Sequence, residues 1–94
     1  MAIVRWLPEA LNDLKRLHAY IKLHSPSAAK RAVVTLIEAT DRLAEFPEKG
    51  RPWDLAMEFR ELSVRFGARD YIVRYRYVDD EVIIIRVWHA LEDR

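Results

Sequence analysis

His89 and the arginines that precede it are the side chains whose types and spacing could do chemistry in this sequence. An imidazole titrates near neutral pH and can serve as a general acid or base. An arginine presents a planar fork of donors that grips a phosphate or carboxylate bidentately. From Arg60 to Arg76 five arginines (Arg60, Arg65, Arg69, Arg74, Arg76) stand against two acids, Glu61 and Asp70, a local excess of three positive charges. Arg86 follows in the last apolar run, which ends on His89. His89 has two readings, proton transfer or a hydrogen bond that closes the end of a strand. Arg60 has two as well: a phosphate-gripping group, or half of a strand-edge salt bridge with Glu58 or Glu61.

Composition narrows the chemistry further. The chain has no cysteine, which excludes disulfides, thiolate metal sites and a cysteine nucleophile and suits a cytoplasmic protein. His18 lies on an apolar stripe and His24 in a break, with no ligand cluster nearby, so no metal site is expected. Two glycines leave little room for a phosphate-cradling loop, and no cofactor is implied. The net charge of +1 is low for a protein that holds nucleic acid by charge alone. Pro8, Glu9 and Asp13 interrupt the N-terminal run before it can form a signal peptide or a membrane span.

The 94 residues form one domain, 1–94, whose elements must position these groups. Ala2 to Trp6 reads as a strand that ends before Pro8. Leu7, Ala10, Leu11, Leu14, Leu17, His18 and Ile21 recur at helical spacing, with Glu9, Asp13, Lys15 and Arg16 mostly on the opposite side. Ser25 caps a second helix that starts at Pro26 and runs to Ala44, with Pro47 and Gly50 ending it. The short break makes the pair an antiparallel hairpin.

Residues 47–57 read as a loop that is polar at one end and apolar at the other. Beyond it the pattern alternates with period two. Tyr71, Val73, Tyr75 and Tyr77 share one side, Ile72, Arg74, Arg76 and Val78 the other. Across an Asp79–Asp80 hairpin turn, Ile83, Ile85, Val87 and His89 oppose Val82, Ile84, Arg86 and Trp88. The order β-α-α-β-β-β gives an α+β fold, with a helical hairpin on one face of a mainly antiparallel four-stranded sheet. The other face is left open, carrying arginines and aromatics.

Joint spacing, more than any single piece, carries a family resemblance. Trp6…Pro8-Glu9-Ala10…Asp13-Leu14, Ser25-Pro26…Ala28-Ala29, Phe46-Pro47…Gly50-Arg51, Arg60-Glu61-Leu62, Tyr71-Ile72-Val73-Arg74-Tyr75 and Val87-Trp88-His89 resemble the RelE/ParE toxin superfamily along the whole chain. The resemblance implies the toxin of a type II toxin–antitoxin module, held in a hetero-oligomer by a cognate antitoxin. The Gly-Arg loop followed by Arg-Glu-Leu and Tyr-Ile-Val-Arg-Tyr is more similar to ParE-like members, which inhibit DNA gyrase. That implies an interaction inhibitor with Arg60, Arg65, Arg74, Arg76 and Arg86 as a target-binding face.

RelE-like and YoeB-like members are instead endonucleases that cut messenger RNA on the ribosome. By that alternative His89 and Arg60 are the catalytic pair. Such members carry Lys or Tyr after the last strand, where this chain has Ala90-Leu91-Glu92-Asp93-Arg94. Trp53, Leu55 and Met57 are the expected antitoxin-binding residues, since aromatics and methionine favour binding surfaces. The groove between the two helices is a second candidate for the antitoxin.

Overall fold

A computed structural model describes residues 1–54 and 56–92. The chain runs β1 (Ile3–Trp6), α1 (Pro8–Lys22), α2 (Pro26–Asp41), a short 3-10 turn (Arg42–Ala44), β2 (Arg51–Asp54), β3 (Phe59–Phe66), β4 (Arg69–Val78) and β5 (Glu81–His89). Both helices begin on proline, whose fixed φ suits the first turn and whose missing N–H removes no bond there. Ser25 caps α2 as expected, its hydroxyl accepting the Ala28 N–H at 3.2 Å. Among the described residues no helix is long and apolar enough to cross a membrane.

The α+β fold is as expected, with one strand more than the sequence pattern suggested. The sheet has five strands in the order β1-β5-β4-β3-β2. Residues 51–54, read as loop, pair antiparallel with β3. The free edge of β3 supplies the hydrogen bonds, and an edge strand tolerates Pro52 because one row of its backbone groups faces solvent. The β1 strand lies parallel to β5, so the sheet is mixed. Asp79 and Asp80 both take positive φ (53° and 58°), as a two-residue hairpin turn with the twist of its strands requires.

One face of this sheet takes the helical hairpin. Ala10, Leu14 and Leu17 of α1 and Leu36 and Ala39 of α2 pack on Leu62, Val64, Tyr71, Val73, Tyr75, Val82, Ile84 and Val87. The expected alternation in β5 is broken halfway. Tyr75 opposes Ile84, but Arg74 opposes Arg86, which leaves Ile85 as an extra residue in a bulge. The bulge shifts the phase by one, so Val82, Ile84, Val87 and His89 all lie on the helix side. Arg86 and Trp88 go to the open face, in register with Arg74 and Ile72.

Candidate functional site

On the helix side, at the β2 end, Tyr75 is fully buried under the 47–50 loop. Its hydroxyl donates to the Pro47 carbonyl at 2.7 Å and accepts the Gly50 N–H at 2.8 Å. A Cβ on residue 50 would sit 2.6 Å from that hydroxyl, which is why the position is glycine. Burial pushes the Tyr75 pKa up. Arg60 opposes Tyr75 across the sheet and donates to the carbonyls of Glu48 (3.1 Å) and Gly50 (2.9 Å). Its nearest carboxylate is Glu48 at 3.8 Å, not Glu58 or Glu61. Arg60 is therefore a loop anchor on the helix side, away from the other arginines of its expected set.

At the other end, β1 stops at Trp6 opposite Ile84, and β5 loses its strand neighbour. Asp13 fills the gap. It accepts the Val87 N–H at 2.8 Å, the Arg86 guanidinium at 2.7 and 3.1 Å, and Arg16 at 3.3 Å. Burial raises the Asp13 pKa, but the bonds from Arg86, Val87 and Arg16 outweigh it and hold the carboxyl below its ordinary value. Arg86 is raised in turn, chiefly by its bond to Asp13. The amphipathic pattern had placed Asp13 outward, yet only 4% of it is exposed. The signal was present, since Asp13 falls on the Ala10–Leu14–Leu17 stripe.

Arg16 extends this cluster to the C-terminal turn. It donates to the Val87 carbonyl at 3.3 Å and pairs with Glu92, whose other oxygen accepts the His89 N–H at 2.8 Å. The His89 ring meets Tyr71 edge-on, at 5.4 Å between centroids, and its Nδ1 accepts the Leu91 N–H at 3.1 Å. His89 and Arg60 are thus separated by four residues along β3 and two strands across, about 16 Å by strand spacing. They do not meet in one catalytic pair.

The open face holds the remaining arginines in a ladder. Arg51, Glu61, Arg74 and Arg86 stand in register across β2, β3, β4 and β5. The Arg74 guanidinium lies 3.7 Å from the Trp53 ring centre and 4.8 Å from that of Trp88, and bonds to the buried Glu61 at 2.6 and 2.9 Å. Trp53 in turn stacks on Phe59 at 5.6 Å. Arg86 reaches over the Trp88 ring at 5.3 Å on its way to Asp13. Arg65 is exposed and pairs with Asp70 at 3.5 Å. Arg76 lies two residues along from Arg74, and its buried Nε has no hydrogen-bond partner among the described residues.

Of the expected antitoxin-binding residues, Trp53 is half exposed at the rim of this face, and Met57 is exposed in the turn after β2. Asp54 shapes that turn by accepting the N–H groups of Ala56 and Met57. Leu55 lies outside the described residues.

This arrangement of helical hairpin and sheet has counterparts among known proteins. Residues 4–94 match the family model described as the ParE toxin of type II toxin–antitoxin systems, parDE. The chain belongs to the ParE toxin family. The relatives of this family member include two toxins of Caulobacter vibrioides. Toxin RelE3 is 38% identical over 87 residues, covering 93% of this chain and 92% of the relative. Toxin RelE2 is 42% identical over 90 residues, covering 96% and 97%.

Two solved structures share the fold. The chromosomal ParDE system from P. aeruginosa matches with a TM-score of 0.75 at 24% identity, covering 95% of this chain and 96% of that one. The RelBE2 toxin–antitoxin complex from Mycobacterium tuberculosis matches at 0.64 with 29% identity, covering 94% and 96%. The chain is the toxin half of a type II toxin–antitoxin module.

Proposed function

We propose that this toxin is a ParE-like inhibitor of DNA gyrase in the cytoplasm, acting by docking and neutralised by its cognate antitoxin. The observation that carries this reading is the separation of His89 from Arg60. A metal-free nuclease must gather an acid or base and a phosphate-binding cation around one scissile bond. Here the two candidates lie about 16 Å apart by strand spacing, and each is engaged with backbone groups. The target surface is the open face around Arg74, Arg76 and Arg86, with Arg65 at its margin. Trp53 at the rim and Met57 in the turn after β2 are antitoxin anchors in this reading, with the bound antitoxin covering the same face.

The test is to add the purified protein to gyrase and supercoiled DNA and to map RNA ends after expressing it alone. Accumulation of gyrase-cleaved DNA is the expected result. Codon-phased cuts in translated messages, with gyrase function intact, would overturn it. The second reading, a ribosome-dependent messenger RNA endonuclease using His89, is favoured by the RelE names of the Caulobacter relatives. Growth inhibition lost on His89→Ala in a folded protein would support that reading.

A further inference from the structure

Two strand bulges aim side chains at the same place. In β2 the register slips between Pro52 and Asp54, which leaves Trp53 as an extra residue. In β5 the extra residue is Ile85. A bulge disrupts the ladder locally and re-aims the side chains beside it. The first lays the Trp53 ring on Phe59 and against the Arg74 guanidinium. The second turns Arg86 and Trp88 onto the same open face, where Trp88 also meets Arg74. Both irregularities thus build one stack of rings and guanidinium groups.

Charge on this face cancels in pairs, with two exceptions. Glu61 takes Arg74, Asp13 takes Arg86, Asp70 takes Arg65 and Glu81 takes Arg5. Arg51 is exposed and has no carboxylate partner among the described residues. Arg76 has none among them either, and its buried Nε lacks a hydrogen bond there. By register the Cα atoms of Arg51 and Arg76 lie two strands and two residues apart, about 12 Å by strand spacing. Between them stand Phe59 and the half-exposed Trp53. Around them the half-buried Ile72, Val78 and Ile83 add apolar surface.

This composition says what the face can hold. A nucleic-acid strand is gripped through many phosphates at once, and two unpaired cations are too few. Aromatic rings and arginines on an apolar ground are instead the makeup of protein contact surfaces, where tryptophan and arginine dominate the binding energy. The two unpaired guanidinium groups set the sign of the partner's charge. Each fits a carboxylate in a two-pronged grip.

We infer that the open face seats an acidic protein surface, with carboxylates of the partner on Arg51 and Arg76 and an apolar side chain against Trp53. This rests on the gyrase-docking reading and deepens it, since the toxin then grips protein rather than the DNA that gyrase holds. It also gives Arg51 a role that the sequence pattern did not assign.

The experiment measures binding of DNA-free gyrase, and separately of labelled single-stranded DNA and RNA oligonucleotides. The chains compared are the unaltered toxin, Arg51→Glu, Arg76→Glu, the two lysine variants Arg51→Lys and Arg76→Lys, and Lys30→Glu. The last is an equal charge change on α2, and melting curves verify folding. Arg51→Glu and Arg76→Glu are each expected to weaken gyrase binding about tenfold, with the loss shrinking as salt rises. The lysine variants should retain most of the binding, and Lys30→Glu all of it. Gyrase binding unchanged in folded Arg51→Glu and Arg76→Glu would overturn the proposal and leave the docking reading standing. Oligonucleotides bound as tightly as gyrase, and lost in Arg51→Glu, would assign the face to nucleic acid, against the proposal. Absence of gyrase binding to the unaltered chain would overturn the docking reading and the proposal together.

Discussion

Arg60 and Arg74 stand on adjacent strands of one sheet, one residue apart in register, and do different work. Arg60 faces the helices and donates to two carbonyls, fixing the loop over Tyr75. Arg74 faces the other way, lies between two tryptophans and bonds to Glu61. On the helix side, Arg60, Tyr75 and Asp13 each close a gap that the fold itself creates: a loop over a ring, or a strand that has lost its neighbour. On the open face the arginines form a layered surface that no other element covers among the described residues. The helix side should therefore govern stability, and the open face should govern what the protein touches.

The largest effect expected from this contrast is at Asp13. Asp13→Ala removes the acceptor of Arg86 and of the Val87 N–H and one of the acceptors of Arg16, and should lower unfolding free energy by about 3 kcal/mol. Denaturant titration checks it; a loss below about 1 kcal/mol would remove the clasp from the account. The same residue sets an acid limit. Its folded pKa is depressed, so its contribution is complete above the ordinary carboxylate range and is lost as pH falls through the folded value. Melting temperature should fall on acidification below about pH 4, with a flatter profile in Asp13→Asn.

Gly50→Ala comes next. The added Cβ meets the fully buried Tyr75 hydroxyl, so the loop or the ring must move, at about 2 kcal/mol. A melting temperature equal to that of the unaltered chain would mean that the loop anchor is slack.

Arg74→Ala sits between the two classes. It removes two bonds to Glu61 and opens the gap between Trp53 and Trp88, so it should cost about 1.5 kcal/mol as well as weaken target inhibition. An exposed strand arginine would have cost less, and the burial of Glu61 makes the difference. Arg76→Ala should be the mildest, within about 0.5 kcal/mol, because it removes a buried Nε that has no hydrogen bond among the described residues. Target inhibition should nevertheless drop. Full inhibition by both variants would dissolve the contrast between the faces.

Much of the fold was legible because its signals are local. The caps at Pro8, Ser25 and Pro26, the apolar stripes of the helices and the Asp79–Asp80 turn each depend on residues within a few positions of one another. From these the sequence by itself determined the helical hairpin, the three long strands and a sheet face left without helices.

What only the tertiary structure decided depends on partners distant in the chain. Strand β2 exists because β3 offers it an edge. The bulge at Ile85 exists because β4 and β5 shift register there, and it alone turns Arg86 and Trp88 outward and His89 inward. Asp13 is buried because β1 ends at Trp6 and leaves β5 a donor to satisfy. The candidate catalytic pair was close in pattern and far apart in space for the same reason. Arg60 and His89 share a face, but only strand order and register set the distance between them.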